Sequence, residues 1–237
     1  RDRVSRRRPR MNTSQCTARL LASAVHDMRN VLAVIRESAG LAQDLAALAD
    51  SSAARTAGGA LAGKQRLEAA LAEAQRSVGQ GAALAEAMDY LAQSGGAESG
   101  EHSGPCDLAR VNRSFCLLAG RQARAAQIGL VSGECSEPVW ASVPPMDVLR
   151  ALLEIFDLCA SVGGQVQLRF TAGRRQKEEG IVVEVLEGAN RELALAAMTG
   201  SPMLSGMRPG WRAALMPWRE QGPRFFLSLS ACDSDAA

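Results

Sequence analysis

Apolar residues recur in alternating steps of four and three along the first part of this chain, at Leu21, Val25, Met28, Leu32, Ile35, Ala39 and Ala42. That spacing is the seam of a coiled coil or helix bundle. It predicts one long helix from residue 14 to about residue 50, with Thr13 or Ser14 as N-cap. The stretch from Ser51 to Gly63, which contains Gly58 and Gly59, is expected to break it. The same steps return at Leu67, Leu71, Ala74, Val78, Gly81, Ala85 and Met88, so a second helix is predicted to pack antiparallel on the first. Two helices cannot enclose a core. Association of two hairpins into a four-helix bundle, and so a homodimer, is the economical way to bury the seams.

Residues 95–106, rich in glycine and serine, read as a linker, and the sequence beyond them changes character. Asp107 can cap a helix running to about Ala126. Ile128 to Ser132 and Val139 to Ser142 read as short strands, and Met146 to Val162 as a buried helix. Gln165 to Thr171 alternates apolar and polar residues, Ile181 to Leu186 is β-branched and apolar, and Phe225 to Ser230 alternates again. These are three more strands, with helical segments expected near residues 190 to 198 and 209 to 220. The fold class expected is α+β: an antiparallel helical hairpin over residues 14–94 forming a dimeric four-helix bundle, then an α/β sandwich over residues 107–232.

Composition narrows the function. The chain has 237 residues, enough for one large or two modest domains. No run of about 18 apolar residues is present, so nothing is expected to span a membrane. The first ten residues hold six arginines but lack the apolar stretch of a signal peptide, and residues 1–13 are expected to be a basic tail without fixed structure. Taking those six arginines and Asp2 from the 27 basic and 25 acidic residues leaves 21 and 24, a net charge of −3. The body of the chain is therefore not expected to bind nucleic acid. The six cysteines form no C-x-x-C pair and no metal-ligand spacing, and two histidines, His26 and His102, are too few to complete a site. No metal is expected, and reduced, mostly structural thiols in a cytoplasm are the default.

His26 stands out against this background. With Asn30, Ala33 and Glu37 it falls on the stripe beside the first seam, which puts its ring in reach of solvent next to the core. An imidazole of ordinary pKa, roughly 6.5, is largely neutral near pH 7 and keeps a lone pair for in-line attack on phosphorus. Asp27 follows directly, and Asn30 lies one helical turn on.

The run His26-Asp27-Met28-Arg29-Asn30-Val31-Leu32 resembles the H-box of bacterial sensor histidine kinases, in which a phosphorylated histidine is followed by an acidic residue on a dimerisation hairpin. The second half looks like the ATP-binding domain of the same family. Asp107-Leu108 opens a helix, Ile128-Gly129-Leu130 opens a strand, and Leu149-Arg150-Ala151-Leu152-Leu153-Glu154-Ile155-Phe156-Asp157-Leu158-Cys159-Ala160 follows in that domain's order. The resemblance spans residues 14–231 and implies a histidine-kinase ATPase-like sandwich for the second half.

Departures from the family pattern bear on the chemistry. Glu154 and Leu158 stand where asparagines would hold magnesium and phosphates. Around Glu187-Gly188-Ala189-Asn190 the Asp-x-Gly-x-Gly turn is replaced by a run with one glycine. Ser201 to Gly210 carries two prolines and no Gly-x-Gly lid. Phosphoryl transfer from ATP depends on such parts for positioning and charge neutralisation.

A histidine hairpin joined to a degenerate kinase domain resembles the dimeric histidine phosphotransferases of bacterial phosphorelays, of the ChpT-like type. The resemblance implies that His26 is nucleophile and phosphoryl carrier, and that Asp27 orients the imidazole or accepts its proton. Arg29 and Asn30 would offer donors to the phosphoryl oxygens or the partner, with Ala33 and Glu37 completing the contact. It implies no cofactor of the chain's own, Mg²⁺ being supplied by the receiver domain. Partners would be a second copy and response-regulator receiver domains, in the cytoplasm. Two alternatives stay open: a pseudokinase scaffold that docks receivers, and an ATP-dependent kinase fragment.

Overall fold

The computed structural model describes residues 12–49, 57–95, 105–201, 203–204, 211–218 and 224–231. The first helix, α1 (Thr13–Ala49), begins on a reciprocal cap. Asn12 Oδ1 accepts from the Gln15 backbone N–H at 2.7 Å, and Gln15 Oε1 accepts from the Asn12 N–H at 3.1 Å. The cap is therefore Asn12, ahead of the expected Thr13 or Ser14. Three residues after Asn12 stands a glutamine that can answer the cap's own N–H, whereas Cys16 and Thr17 follow the other two.

The second helix, α2 (Ala57–Gly95), begins before the expected break has ended, with Gly58 and Gly59 inside it. Each interior glycine costs about 1 kcal/mol against alanine, which a 39-residue helix rich in alanine can carry. The expected tail and most of the expected linker lie outside the described residues, as does the connection at 50–56. The two helices pack closely at Gly81, where a Cβ would come 3.1 Å from Val31 Cγ1 and 4.0 Å from Met28 Sδ. This contact divides each seam lengthwise. Met28, Ile35 and Ala42 on α1, with Leu67, Ala74, Gly81 and Met88 on α2, are half-buried. Leu32 and Ala39, with Leu71, Val78 and Ala85, face solvent.

The second half opens with β1 (Cys106–Asp107) and two helices where one was expected, α3 (Leu108–Leu118) and α4 (Gly120–Ala125). Asp107 caps α3 as anticipated, its Oδ1 accepting from the Ala109 and Arg110 N–H groups at 3.0 and 3.2 Å. The helix stops at Ala119, and α4 starts at Gly120. There follow β2 (Ile128–Ser132), β3 (Trp140–Ala141), α5 (Pro145–Ser161), β4 (Val166–Arg175), β5 (Glu178–Val185), α6 (Arg191–Thr199), β6 (Met203–Leu204), β7 (Trp211–Trp218) and β8 (Arg224–Ala231).

One six-stranded sheet runs in the order β2-β4-β5-β8-β7-β6, and β1 pairs with β3. β2 is parallel to β4 and the other pairs are antiparallel, so the sheet is mixed, as expected. One expectation fails here. Residues 209 to 220, read as helical, hold the strand β7, in register with β8 through Ala213↔Leu229 and Leu215↔Leu227. Alanine, leucine and methionine favour a helix locally, but pairing of β7 along its whole length with β8, and at Ala213 and Ala214 with β6, satisfies the backbone and buries Ala213 and Leu215. Pro217 would also break a helix there.

A single apolar core joins both halves. Leu20 and Ala24 of α1 and Leu84 and Leu91 of α2 belong to the same cluster as Phe115, Leu152, Phe156, Phe170, Val183 and Leu227. Each large side chain among them contributes roughly 1.5–3 kcal/mol through burial. The end of the hairpin carrying His26 is thus seated on the helical face of the sandwich. Among the described residues no helix is long and apolar enough to cross a membrane.

Candidate functional site

His26 sits mid-helix on α1 with its side chain 45% exposed. Asn30, one turn on, places Nδ2 3.3 Å from Nδ1 of the ring. As placed, the Asn30 Nδ2–H donates to Nδ1 and the ring proton is on Nε2; rotation of the amide about χ2 presents Oδ1 instead, and the contact then holds Nδ1 as N–H donor. In that tautomer the lone pair is on Nε2, which has no hydrogen-bond partner among the described residues. Asn30, Ala33 and Glu37 are exposed along the same stripe, and Arg29 flanks it, also exposed. The helix therefore brings together the stripe residues that its spacing predicted.

Asp27 behaves differently from the expectation. Its Oδ1 is 3.8 Å from His26 Nδ1, beyond hydrogen-bonding distance, and the same oxygen accepts from Arg124 Nη2 at 2.5 Å. The side chain is 14% exposed and points to α4. Gly120 leaves it room, since a Cβ there would come 3.4 Å from Asp27 Oδ2. In this state Asn30, and not Asp27, is what touches the imidazole.

A second bridge fixes the hairpin on the sandwich. Arg19, two turns before His26, makes a two-pronged pair with Asp157 of α5, Nη1 to Oδ2 and Nη2 to Oδ1, both at 2.6 Å. Its Nε donates to Gln122 Oε1 at 2.6 Å, and the Gln122 amide donates to the Arg19 carbonyl at 3.0 Å. The guanidinium carbon also lies 5.9 Å from the centre of the Phe156 ring. Asp157 belongs to the stretch that resembles the kinases' magnesium-binding helix, and here its carboxylate serves the hairpin. Within that stretch Leu158 is buried and has no ligating atom, and Glu154 is half-buried.

The remaining departures are structural. Gly188 has φ +133°, and a Cβ on it would fall 2.0 Å from the Gln165 carbonyl oxygen, so this glycine serves the close approach of the β5–α6 turn to β4. The expected lid region is mostly outside the described residues. Among the described residues, no group of three or more histidines, cysteines and carboxylates could hold a metal ion. A cavity of about 240 Å³ between α2 and α3 is lined by Glu86, Asp89, Asp107, Arg110 and Arg113, apart from His26. Among the described residues the five cysteines are free thiols, and burial pushes Cys16, Cys106, Cys116 and Cys159 up to about 12.

Arg124, Gly120, Gln122 and Arg19 were not marked by the sequence. Arg124 lies 97 residues from Asp27, and in a chain whose basic residues are nearly all arginine no local spacing singles it out.

The architecture is α+β, a helical hairpin ahead of a mixed sheet. No family model matches the sequence, and no curated protein does. Among solved structures the chain is similar to the Acinetobacter baumannii histidine kinase AdeS, with 9% identity, 89% of this chain and 98% of that chain covered, and a TM-score of 0.34. A TM-score of that size carries no argument, and function is read from the residues.

Proposed function

We propose that this chain is a histidine phosphotransfer protein of a bacterial phosphorelay, taking a phosphoryl group from one receiver-domain aspartate and passing it to another through His26. The observation that carries this is the state of the His26 ring. It is 45% exposed, on a stripe of small and polar side chains, with Nδ1 engaged by Asn30 and Nε2 open. The Nε2 electron pair forms the bond to phosphorus, the bond from phosphorus to the aspartyl oxygen breaks, and its electron pair leaves with the carboxylate. The Nδ1 proton stays on the ring. Attack by a second receiver's carboxylate reverses the exchange, and Mg²⁺ belongs to the receiver's own acidic pocket.

Transfer without ATP is the reading that Glu154, Leu158 and Gly188 support, since the first two replace metal-holding asparagines and the third serves a turn. Arg29, Ala33 and Glu37 are the proposed receiver contacts in the cytoplasm. A second copy of the chain is the proposed cover for the outer line of the seam, where Leu32 is 58%, Leu71 49% and Val78 55% exposed on one hairpin.

The test supplies receiver domains phosphorylated by a separate kinase and follows acid-labile, base-stable phosphate on wild type and His26→Ala. Label on wild type alone, passing on to a second receiver, is the expected result. Receivers that bind without any label on wild type would leave a docking scaffold, and label taken directly from ATP would make the chain a kinase.

A further inference from the structure

Asp27 Oδ1 has two claimants. Arg124 Nη2 holds it through a charge-assisted bond at 2.5 Å, and His26 Nδ1 stands 3.8 Å away. Those two distances together bound the separation of Nη2 and Nδ1 at 6.3 Å, so the guanidinium is next to the reacting ring. The two partners differ in freedom. Asp27 is 14% exposed and held against α4, whereas Arg124 is 66% exposed on the surface of the sandwich. An arginine of that kind can exchange one anion for another by rotamer changes, and a phosphoryl group with three oxygens offers it a more highly charged acceptor than one carboxylate oxygen.

Resting on the phosphotransfer reading, we propose that Arg124 is a catalytic residue: it holds Asp27 off His26 in the unloaded protein and turns to the phosphoryl group when a phosphorylated receiver docks. Release of Asp27 Oδ1 then lets it accept the Nδ1 proton's hydrogen bond. The ring gains positive character at the moment Nε2 bonds to phosphorus, and the freed carboxylate stabilises that charge from the opposite nitrogen. No proton leaves the ring, and Arg124 carries neither proton nor phosphoryl group. An unphosphorylated receiver brings no such anion and leaves Asp27 paired with Arg124. The sandwich thereby acts in the chemistry of the hairpin, which the hairpin's sequence does not reveal.

The experiment records ¹⁵N spectra of the His26 ring, with His102→Gln leaving one histidine, in the full chain carrying Arg124 or Arg124→Gln. Arg124→Gln should raise the population with the proton on Nδ1, and should leave the spectrum unchanged in an Asp27→Asn background. Transfer from a phosphorylated receiver should fall about ten-fold in Arg124→Gln, the order expected for losing one charge-assisted contact, and recover in part in Arg124→Lys. An indifferent ring spectrum, or transfer at the wild-type rate, overturns the role of Arg124 while the label on wild type upholds the phosphotransfer reading. Wild type that takes label from no receiver overturns that reading and this role with it.

Discussion

The bridge between Arg19 and Asp157 is the sharpest test of how the hairpin is seated. Two hydrogen bonds of 2.6 Å join a guanidinium to a carboxylate across 138 residues of sequence. Charges about 4 Å apart attract by roughly 4 kcal/mol at an effective dielectric constant near 20. Both side chains are about a third exposed, at 35% and 28%, so solvent screening and roughly 2 kcal/mol of rotamer entropy offset most of that attraction. A coupling of about 1–1.5 kcal/mol remains. Arg19→Ala also removes the Gln122 bond and the contact with Phe156, and should destabilise by about 2 kcal/mol, against about 1.5 for Asp157→Ala. The assay is equilibrium urea unfolding of the wild type, both single variants and the double variant, analysed as a double-mutant cycle. A coupling below about 0.3 kcal/mol, the scatter expected for independent sites, would refute the reasoning and leave the seating to the apolar core and the remaining polar contacts.

Three other outcomes are expected. Gly188→Ala should destabilise by more than about 2 kcal/mol in the same assay, because its Cβ would meet the Gln165 carbonyl oxygen at a φ of +133°. Stability should fall as pH rises above about 9. The thiols of Cys16, Cys106, Cys116 and Cys159 ionise near 9.0 when unfolded but only at about 12 when folded, so from 9 to 12 the folded state binds more protons. That slope, up to about 1.4 kcal/mol per pH unit per thiol, should be halved between about pH 9 and 10 when two of the four are replaced by alanine; at higher pH buried Tyr90, whose phenol is also pushed up by burial, adds to it. Leu32→Lys with Val78→Lys should convert a dimer to a monomer in light scattering and leave the monomer's unfolding midpoint nearly unchanged, since both residues are more than half exposed; a monomeric wild type would overturn the proposed second copy.

Much of the architecture is written locally. Four-three spacing marked both long helices, alternation marked β4 and β8, and Asp107 marked a helix start, because each is a relation among residues a few positions apart. The stripe carrying His26, Asn30, Ala33 and Glu37 was legible for the same reason. Segments 209 to 220 and 107 to 126 were misread where a distant element decides. The strand β7 exists because β6 and β8 flank it, and the helix divides at Ala119 where α4 turns to meet α1. What the sequence by itself determined is the helix that displays His26 and the spacing that surrounds it. That Asp27 turns from the ring to pair with Arg124, leaving Asn30 against the imidazole, was decided only by the tertiary structure. Packing through the shared core brings Asp27 and Arg124 together across 97 residues, and no periodicity of three, four or two reports a contact of that range.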